Sequence, residues 1–421
     1  ADPSAVVSVS NTGHVTPLAN GSVKVTAKTA EGLSAQIELT VEHFETPQAI
    51  NFPNEIVPLF TKHGCNGGGC HGKSEGQNGF KLSLLGFEPT EDFEYLVKEG
   101  RGRRLFPAAP QHSLLLRKGA GDLPHGGGAR FEHDSWDYKA IVRWMEQGMP
   151  YGSPEDPKLE SISVYPSSRI VEPGTEQQLA VEALYTDGSV RDVTGIVSYE
   201  SNQKEMGEVN QSGLVTMLKD QTGDMAVMIR FQEQVSVFRA TIPLGAPTDN
   251  FPVAKNFIDE KVFNKLKTLG LPSSEICDDT TFIRRTAIDI AGRLPSLQEV
   301  DGFLSNNDPE KRSQWIESLL STTDYAEYFA NKWSAILRNK RKGNTYTRGT
   351  QAFHEWLMGS LHANKPYNQL ITELVTARGE ISHNPASAWF RNVTDQKERL
   401  QDTAQVLLGV RLQCAECHHH P

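Results

Sequence analysis

The sequence contains no long hydrophobic run. Nowhere do about 18 apolar residues follow one another, which is the length that a membrane-spanning helix needs. Positive charge is also scarce, because 42 lysines and arginines are set against 52 aspartates and glutamates, giving a formal net charge of −10. No basic cluster is strong enough to offset this balance. We therefore expect no membrane span in this chain and no nucleic acid among its partners.

Common catalytic signatures are missing as well. The sequence holds no convincing Ser-His-Asp arrangement, no phosphate-binding loop and no H-E-x-x-H zinc motif. The chain has 421 residues, of which 38% are hydrophobic, so it is long enough for several domains with cores of their own. Any chemistry must therefore be sought in other residue patterns.

Cysteine is rare, but its distribution is informative. Four of the five cysteines form two close pairs, and each pair is followed at once by a histidine. The two motifs are Cys65, Cys70 and His71 in GCNGGGCHG, and Cys414, Cys417 and His418 in CAECH. The second has the C-x-x-C-H spacing that is typical of covalent haem attachment, and it makes the longer spacing of the first motif credible. The fifth cysteine, Cys277, is interpreted as a bystander thiol.

Covalent haem attachment explains why the histidine adjoins the second cysteine. Two thioether bonds hold the haem, and the neighbouring histidine then reaches the iron as its proximal ligand. This geometry requires the histidine to adjoin the second cysteine, whereas it restricts the length of the spacer between the cysteines less tightly. Gly67, Gly68 and Gly69 fill the longer spacer, and glycine can adopt the positive φ values expected of a bulged loop.

Two other interpretations of these motifs stay open. His63 and His71 with Cys65 and Cys70 could form a four-ligand zinc site. Against this, adjacent side chains such as Cys70 and His71 rarely reach the same tetrahedral ion. The motif at 414–418 could be a redox-active dithiol, although a thioredoxin-like pair follows a strand, and this one follows a predicted helix.

The iron of the first motif needs a sixth ligand or an open position. His125, in the glycine-rich loop DLPHGGGARF, is preferred because the loop can wrap a flat cofactor and stands where small cytochromes usually present methionine. Met145 and Met149 are alternatives, but Met145 lies on the apolar face of a predicted helix and is better explained as core. His112 and His133 are weaker candidates.

The distal ligand of a second haem is harder to assign. His354, His362 and His383 lie on or between predicted helices, where a lone histidine is more often solvated than a ligand. His419 and His420 adjoin His418 and are poorly placed to cross to the far face of the same ring. We therefore expect the sixth position of that haem to be weakly filled or open.

An internal repeat organises the remaining sequence. Residues 6–41 match 206–242, and both read as alternating strands around a G-x-V-T turn, followed by a second turn and two more strands. The later copy has about forty additional residues of strand-like sequence before it, with turns at Pro173-Gly174 and Asp187-Gly188. The given sequence is accordingly expected to start inside a β-sandwich domain, with the upstream part of that domain missing.

Helical patterns occupy the other two regions. In 50–152, a short helix is expected from near Pro58 into the Cys65 loop, and another from the cap Asp134-Ser135 to Gly148. From about 250 the pattern is helical throughout, with a shared face at Ile258, Val262 and Leu266. Further predicted features are a capping box at Ser296 and Glu299, a helix start at Asp308-Pro309, runs at 312–320, 324–340, 350–363 and 367–377, and a last helix at 394–412.

Several of these runs resemble known families. HGCNGGGCHGKSEGQNGFKLSLLGFEP, RGRRLFPAAPQHSLLLRK and LPHGGGARF resemble the planctomycete-type cytochrome c family. ARGE and DTAQVLLGVRLQCAECHHHP are similar to its second cytochrome-like domain, formerly a domain of unknown function. The V-x-P opening at Val164, the run YTDGSVRDVT and the S-x-G-x-V-T turn resemble the bacterial Ig-like group 2 fold.

The resemblance implies a multi-domain, mainly α protein with β modules. The expected domains are a partial Ig-like β-sandwich (1–46), a small all-α c-type cytochrome domain (47–153), an Ig-like β-sandwich (154–246) and a larger all-α cytochrome-like domain (247–421). It implies haem c at both motifs and an exported protein, periplasmic or on the cell surface. Further domains are expected beyond both ends of the sequence.

Three functions fit these expectations. The first is electron transfer between the haems and an unidentified envelope partner. The second is a haem enzyme, peroxidase-like or oxidative, acting through an open iron site on an envelope or polysaccharide substrate. The third is a surface adhesion or scaffold protein with structural haem or metal. The coordination of the iron separates the first two, because six-coordinate iron favours transfer and five-coordinate iron favours catalysis.

Overall fold

The computed structural model describes residues 6–10, 13–30, 32–46, 48–73, 75–341, 347–391 and 393–413. The chain divides into two compact units. One is formed by the residues up to 247 together with 256–271, and the other by 248–255 together with the residues from 272 onward. The fold is mixed α and β, with several small sheets. Among the described residues, no helix is long and apolar enough to cross a membrane.

The first unit begins with two strand pairs. The strands are β1 (Val7–Val9), β2 (Val15–Pro17), β3 (Gly21–Lys28) and β4 (Ser34–Val41), paired antiparallel as β1 with β2 and β3 with β4. Val6, Val7 and Val23 form a small buried cluster between them.

A helical region follows, and both helix starts predicted for it are confirmed. Its helices are α1 (Val57–Lys62), α2 (Pro89–Phe93), α3 (Leu114–Gly119) and α4 (Trp136–Glu146), with shorter helical turns at Phe52–Ile56, Leu84–Gly86, Glu94–Lys98, Glu99–Gly102 and Pro110–His112. The Ser135 hydroxyl accepts the amide of Tyr138 at the start of α4. Phe52, Leu59 and Trp144 are buried at the centre of this region.

Ten further strands complete the sheets of the first unit. They are β5 (Leu159–Tyr165), β6 (Ser168–Ile170), β7 (Glu176–Gln178), β8 (Ala180–Tyr185), β9 (Val190–Asp192), β10 (Ser198–Ser201), β11 (Gly207–Val209), β12 (Leu214–Met217), β13 (Gly223–Phe231) and β14 (Gln234–Ile242). Their sheet orders are β10-β13-β14-β6, β11-β12-β7 and β5-β8-β9. One buried cluster, with Tyr185, Phe231 and Phe238, joins the three sheets. The predicted turns at Gly174 and Gly188 are confirmed, with φ of 75° and 79°.

The predicted sequence repeat is also a repeat of strand pairing. Val9 pairs with Val15 in the first copy, and Val209 pairs with Val215 in the second. Gly13 and Gly213 turn the chain with φ of 84° and 80°. The β3–β4 and β13–β14 pairs each begin at a glycine of positive φ and follow the same order. Local turn chemistry and alternation are enough to reproduce this arrangement twice.

Helix α5 (Phe257–Leu269) lies with the strands of the first unit, although the sequence places it in the C-terminal helical domain. The amide of Leu244 donates to the Leu269 carbonyl over 2.8 Å, and Lys265 forms an ion pair with Asp224 over 2.6 Å. The face predicted from Ile258 and Val262 is not buried, since these side chains are 57% and 47% exposed.

The second unit is helical over its described residues. Its helices are α6 (Asp279–Thr286), α7 (Leu297–Ser305), α8 (Lys311–Leu320), α9 (Thr323–Ile336), α10 (Thr347–His362), α11 (Tyr367–Val375) and α12 (Gln396–Thr403), with helical turns at Ala287–Ala291, Pro385–Arg391 and Ala404–Leu408. The capping box of Ser296 and Glu299 is confirmed. Phe353 and Leu357 are at the centre of the core, and Trp333, Trp356 and Trp389 pack against it.

Two predicted helix boundaries in this unit are wrong. Asp308 does not cap α8 directly, because its carboxylate accepts the Glu310 amide in a preceding turn and the helix begins at Lys311. The last helix does not continue to 412. Gly409 has a φ of 70°, which ends the helical turn 404–408.

Candidate functional site

A cavity of about 480 Å³ lies between the Cys65 loop and the segment that contains His125. Its volume is in the range of about 300–1,000 Å³ that is usual for cofactor pockets. Phe60, Phe80, Leu82, Leu115 and Phe131 provide apolar walls. Cys65, Cys70, His71 and His125, the four residues that the sequence assigned to the first haem site, all line it. The fold therefore brings together side chains that are up to 60 positions apart.

The two cysteines reach the cavity through a closed loop after α1. The amide of Cys65 donates to the Phe60 carbonyl over 2.8 Å, and the amide of His71 donates to the Cys65 carbonyl over 3.0 Å. Both thiols are half-buried and form no disulfide. The loop thus holds two free thiols and one imidazole against the same cavity.

The expected role of the spacer glycines is wrong. Gly67, Gly68 and Gly69 have no positive φ, although the insertion folds into turns. Gly64 adopts the left-handed conformation instead, with a φ of 67°. Gly72 is needed for another reason, since a Cβ atom there would overlap the Asn66 carbonyl. The loop therefore requires glycine at position 72, where its backbone passes close to Asn66, and not at the three spacer positions.

His71 and His125 are held by equivalent hydrogen bonds. The Nδ1 of His71 is 3.0 Å from the Phe80 carbonyl oxygen, and the Nδ1 of His125 is 2.9 Å from the Gly128 carbonyl oxygen. A carbonyl oxygen can only accept, so each Nδ1 carries a proton, and Nε2 is the nitrogen of each ring that could bind a metal. Such a hydrogen bond fixes the orientation of a metal-binding imidazole and raises its basicity.

The two imidazole rings are arranged as a pair. Their centres are 6.3 Å apart and their planes differ by 7°. Two imidazoles that bind one metal ion at nitrogen–metal distances of about 2 Å have ring centres about 6 Å apart. The distance between the ring centres of His71 and His125 therefore matches that of two imidazoles that would bind one metal ion from opposite sides.

The other candidates for the sixth ligand do not line the cavity. Met145 is 1% exposed and its sulfur accepts the Ser113 hydroxyl at 3.2 Å, which confirms its interpretation as core. Met149 packs against the same core. His112 is exposed, and the exposed His133 bonds Asp122 over 2.9 Å.

The cavity is positively charged. Arg103, Arg104, Lys118 and Arg130 line it, and no carboxylate is among the described residues of its wall. Burial lowers the pKa of His71, against its bond to Phe80, and the nearby positive charges lower it further. The imidazole is thus held in the neutral form, which is the form that binds metal. An anionic occupant matches this charge, and haem carries two propionates.

The zinc interpretation fits the geometry poorly. The Nε2 of His63 is 2.6 Å from Asp137, whose carboxylate also accepts Lys62 over 2.7 Å, so this nitrogen of His63 is not free for a metal ion. Burial raises the pKa of Cys65 to about 11, which disfavours the thiolate that zinc binds. In the part of the chain that the structure describes, no three His, Cys, Asp or Glu side chains are grouped to hold a bare metal ion. A haem iron needs only two protein ligands.

The second motif cannot be placed in the same way. Cys414, Cys417 and His418 lie outside the described residues, as do His419 and His420. His354 is half-buried, with its Nδ1 3.3 Å from the Ser334 hydroxyl, whereas His362 and His383 are exposed. Cys277 is a half-buried free thiol.

Sequence reasoning missed the groups that hold the two histidines. The carbonyls of Phe80 and Gly128 orient the imidazoles, and Arg130 contacts the attachment loop. Phe80 and Arg130 lie in runs that carry the family resemblance, in NGFKL and GGGARF. Their tasks depend on backbone geometry, which residue identity does not reveal.

One family model matches the C-terminal part of the chain. Residues 257–421 match the model of PSCyt2, described as a protein of unknown function (DUF1549), a family name associated with planctomycete cytochromes. No curated protein matches the chain.

Two solved structures are weakly similar. The crystal structure of the S-layer protein rSbsC(31-844) is 15% identical with a TM-score of 0.19, over 59% of this chain and 20% of that one. The structure of surface layer protein SbsC, domains 1-6, has the same identity and TM-score, over 60% and 20%. The chain thus matches about a fifth of the length of either structure, and at this TM-score the likeness carries no argument.

Proposed function

We propose that residues 47–153 form a c-type cytochrome domain that transfers electrons. Cys65 and Cys70 attach the haem, His71 is its proximal ligand and His125 its distal ligand. The observation that carries this proposal is the parallel pair of His71 and His125, with ring centres 6.3 Å apart, beside both free thiols in one cavity.

The residues of the cavity have separate tasks. When bound, haem c supplies one-electron transfer at its iron. His71 and His125 would both bind the iron, which would leave no position for a substrate and favours electron transfer over catalysis. The apolar side chains of Phe60, Leu82 and Phe131 exclude water. Replacing the usual methionine by histidine lowers the reduction potential, since methionine ligation raises it.

The rest of the chain is assigned by resemblance and by the family match. The strand regions 1–46 and 154–246 act as Ig-like modules that space other domains, which agrees with their repeated strand pairing. Residues 247–421 form the second cytochrome-like domain, with a haem at Cys414, Cys417 and His418. Covalent haem is attached after export, so the protein is periplasmic or on the cell surface, where an envelope redox protein is its partner.

Intact mass tests the first haem site. The full chain is produced in a bacterial periplasm that carries out cytochrome c maturation, with Cys414 and Cys417 replaced by alanine so that one site remains. We expect the denatured protein to be heavier by one haem. Cys65→Ala/Cys70→Ala should remove this mass, and the control Cys277→Ala should keep it. An unmodified mass, or stoichiometric zinc in place of haem, would contradict the proposal.

A further inference from the structure

Arg130 lies where the two haem-binding loops meet. Its Nη1 donates to the His63 carbonyl over 3.2 Å, just before the attachment loop. Its Nη2 lies 3.8 Å from the sulfur of Cys70. The positive charge of Arg130 also opposes the rise in the pKa of Cys65. One guanidinium is therefore close to both attachment cysteines.

The same guanidinium adjoins the distal histidine. At Gly127, a Cβ atom would lie 3.0 Å from Cε1 of His125 and 3.1 Å from Nη2 of Arg130. The imidazole and the guanidinium thus share the space that a side chain at 127 would occupy. Cε1 is bonded to Nε2, the atom left free for the iron. Arg130 and the His125 ring therefore both lie beside Gly127.

The charge of Arg130 is not neutralised by the protein. Within the described part of the chain, no carboxylate forms an ion pair with it. Arg104, which also lines the cavity, likewise forms no ion pair with a carboxylate among the described residues. It donates to the carbonyls of Tyr95, Glu99 and Gly79 and lies over the Phe80 ring. Arg104 is therefore held by three carbonyls and one ring of its local fold, whereas Arg130 contacts His63 and Cys70 at the attachment loop.

We propose that Arg130 is a positioning residue, an inference that rests on the haem binding proposed above. Its guanidinium, wedged between Cys70 and the His125 loop, keeps His125 on the iron and raises the reduction potential. The first effect follows from its contacts with both loops. The second follows from charge, because a fixed positive charge near the iron stabilises the reduced state relative to the oxidised state, most strongly where the dielectric constant is low.

Two substitutions at Arg130 separate charge from shape. In the full chain with Cys414→Ala and Cys417→Ala, the parent is compared with Arg130→Gln, Arg130→Lys and the control Arg143→Gln, whose guanidinium bonds the Gln48 carbonyl outside the cavity. Haem per chain is counted first, and then the midpoint potential and cyanide affinity of the ferric protein are measured. His125→Ala provides the spectrum and cyanide affinity of a vacant sixth position.

We expect one haem in each protein. Arg130→Gln should lower the midpoint potential and tighten cyanide binding about tenfold, since residues that orient a metal ligand typically contribute factors of this size. Arg130→Lys should retain most of the parent potential, and Arg143→Gln should equal the parent. The inference is overturned if Arg130→Gln matches the parent in both properties, or if Arg130→Lys loses as much potential as Arg130→Gln.

Substitutions at two neighbouring glycines test the contact between Arg130 and the His125 loop without changing any charge. They also provide the test if Arg130→Gln does not fold or bind haem. Gly127→Ala forces His125 and Arg130 apart, whereas a Cβ at Gly126 meets no atom within 4 Å. Cyanide should bind more tightly to Gly127→Ala than to Gly126→Ala. Equal affinities overturn the inference. If the parent protein carries no haem, the proposed function itself is overturned. If the parent carries haem but the variants have its midpoint potential and cyanide affinity, only the role of Arg130 is overturned.

Discussion

At Gly72 the backbone of the attachment loop passes against the carbonyl of Asn66, with no room for a Cβ atom. Gly69, three positions earlier, has a φ outside the left-handed region and open space where a Cβ would lie. The two glycines look alike in GCNGGGCHG, yet only one is fixed by packing. This difference between single residues is decided by which atoms of the folded chain lie next to each glycine.

Alanine substitutions at these two positions should therefore change the stability of the loop in different directions. Gly72→Ala is expected to destabilise the loop by about 1–3 kcal/mol, as overpacking usually does. Gly69→Ala is expected to be neutral or to stabilise by about 0.4–1 kcal/mol, because it restricts the unfolded chain. Hydrogen exchange of peptides covering 57–86 measures the local unfolding free energy. Equal protection in the two variants would show that the Asn66 contact does not restrict the loop.

Asp92 connects α2 to the turn Leu84–Gly86 through hydrogen bonds with Ser83. Its carboxylate, on α2, accepts the amide and the hydroxyl of Ser83 over 2.5 and 2.8 Å, just before the turn Leu84–Gly86. The side chain is fully buried. Burial raises its pKa from 3.8 to about 6, although the bonds from Ser83 act in the opposite direction.

This raised pKa predicts a pH dependence of stability. The contribution of Asp92 is fully present below pH 3.8, where the carboxyl is protonated in both states, and it is lost as the pH rises through about 6. The loss is about 3 kcal/mol, from a difference of about two pKa units. Hydrogen exchange of peptides covering 80–98, corrected for intrinsic rates, should show protection decreasing over this interval. Asp92→Asn should flatten the decrease, and an unchanged slope would assign it to another group.

At the scale of the whole molecule, the two cysteine motifs predict two haems in one chain. A pyridine haemochrome assay of the full chain should count two. Cys65→Ala/Cys70→Ala and Cys414→Ala/Cys417→Ala should each remove one, because the motifs lie in separate regions of the sequence. Cyanide should shift only part of the Soret absorbance, since His125 is proposed to bind the iron of the first haem and the sixth position of the second is expected to be open. One haem per chain, or no response to cyanide, would disprove this.

The sequence by itself determined the features that depend on near neighbours. The caps at Ser135 and Ser296, the repeated turns at Gly13 and Gly213, and the spacing of cysteine and histidine act within a few residues, so composition and periodicity reveal them. The predicted end of the last helix was wrong because the left-handed Gly409 ends the helix earlier. The predicted start of α8 was wrong because an extra turn precedes the helix.

Only the tertiary structure decided which distant groups meet. Local pattern favoured His125 over Met145, but only the fold brings His125 next to His71, which lies 54 positions earlier. The packing of α5 on the strands, the restriction at Gly72 and the position of Arg130 between two loops likewise depend on contacts across the fold. Such contacts follow from how the elements pack together, and a pattern read along one segment contains no information about its neighbours in space.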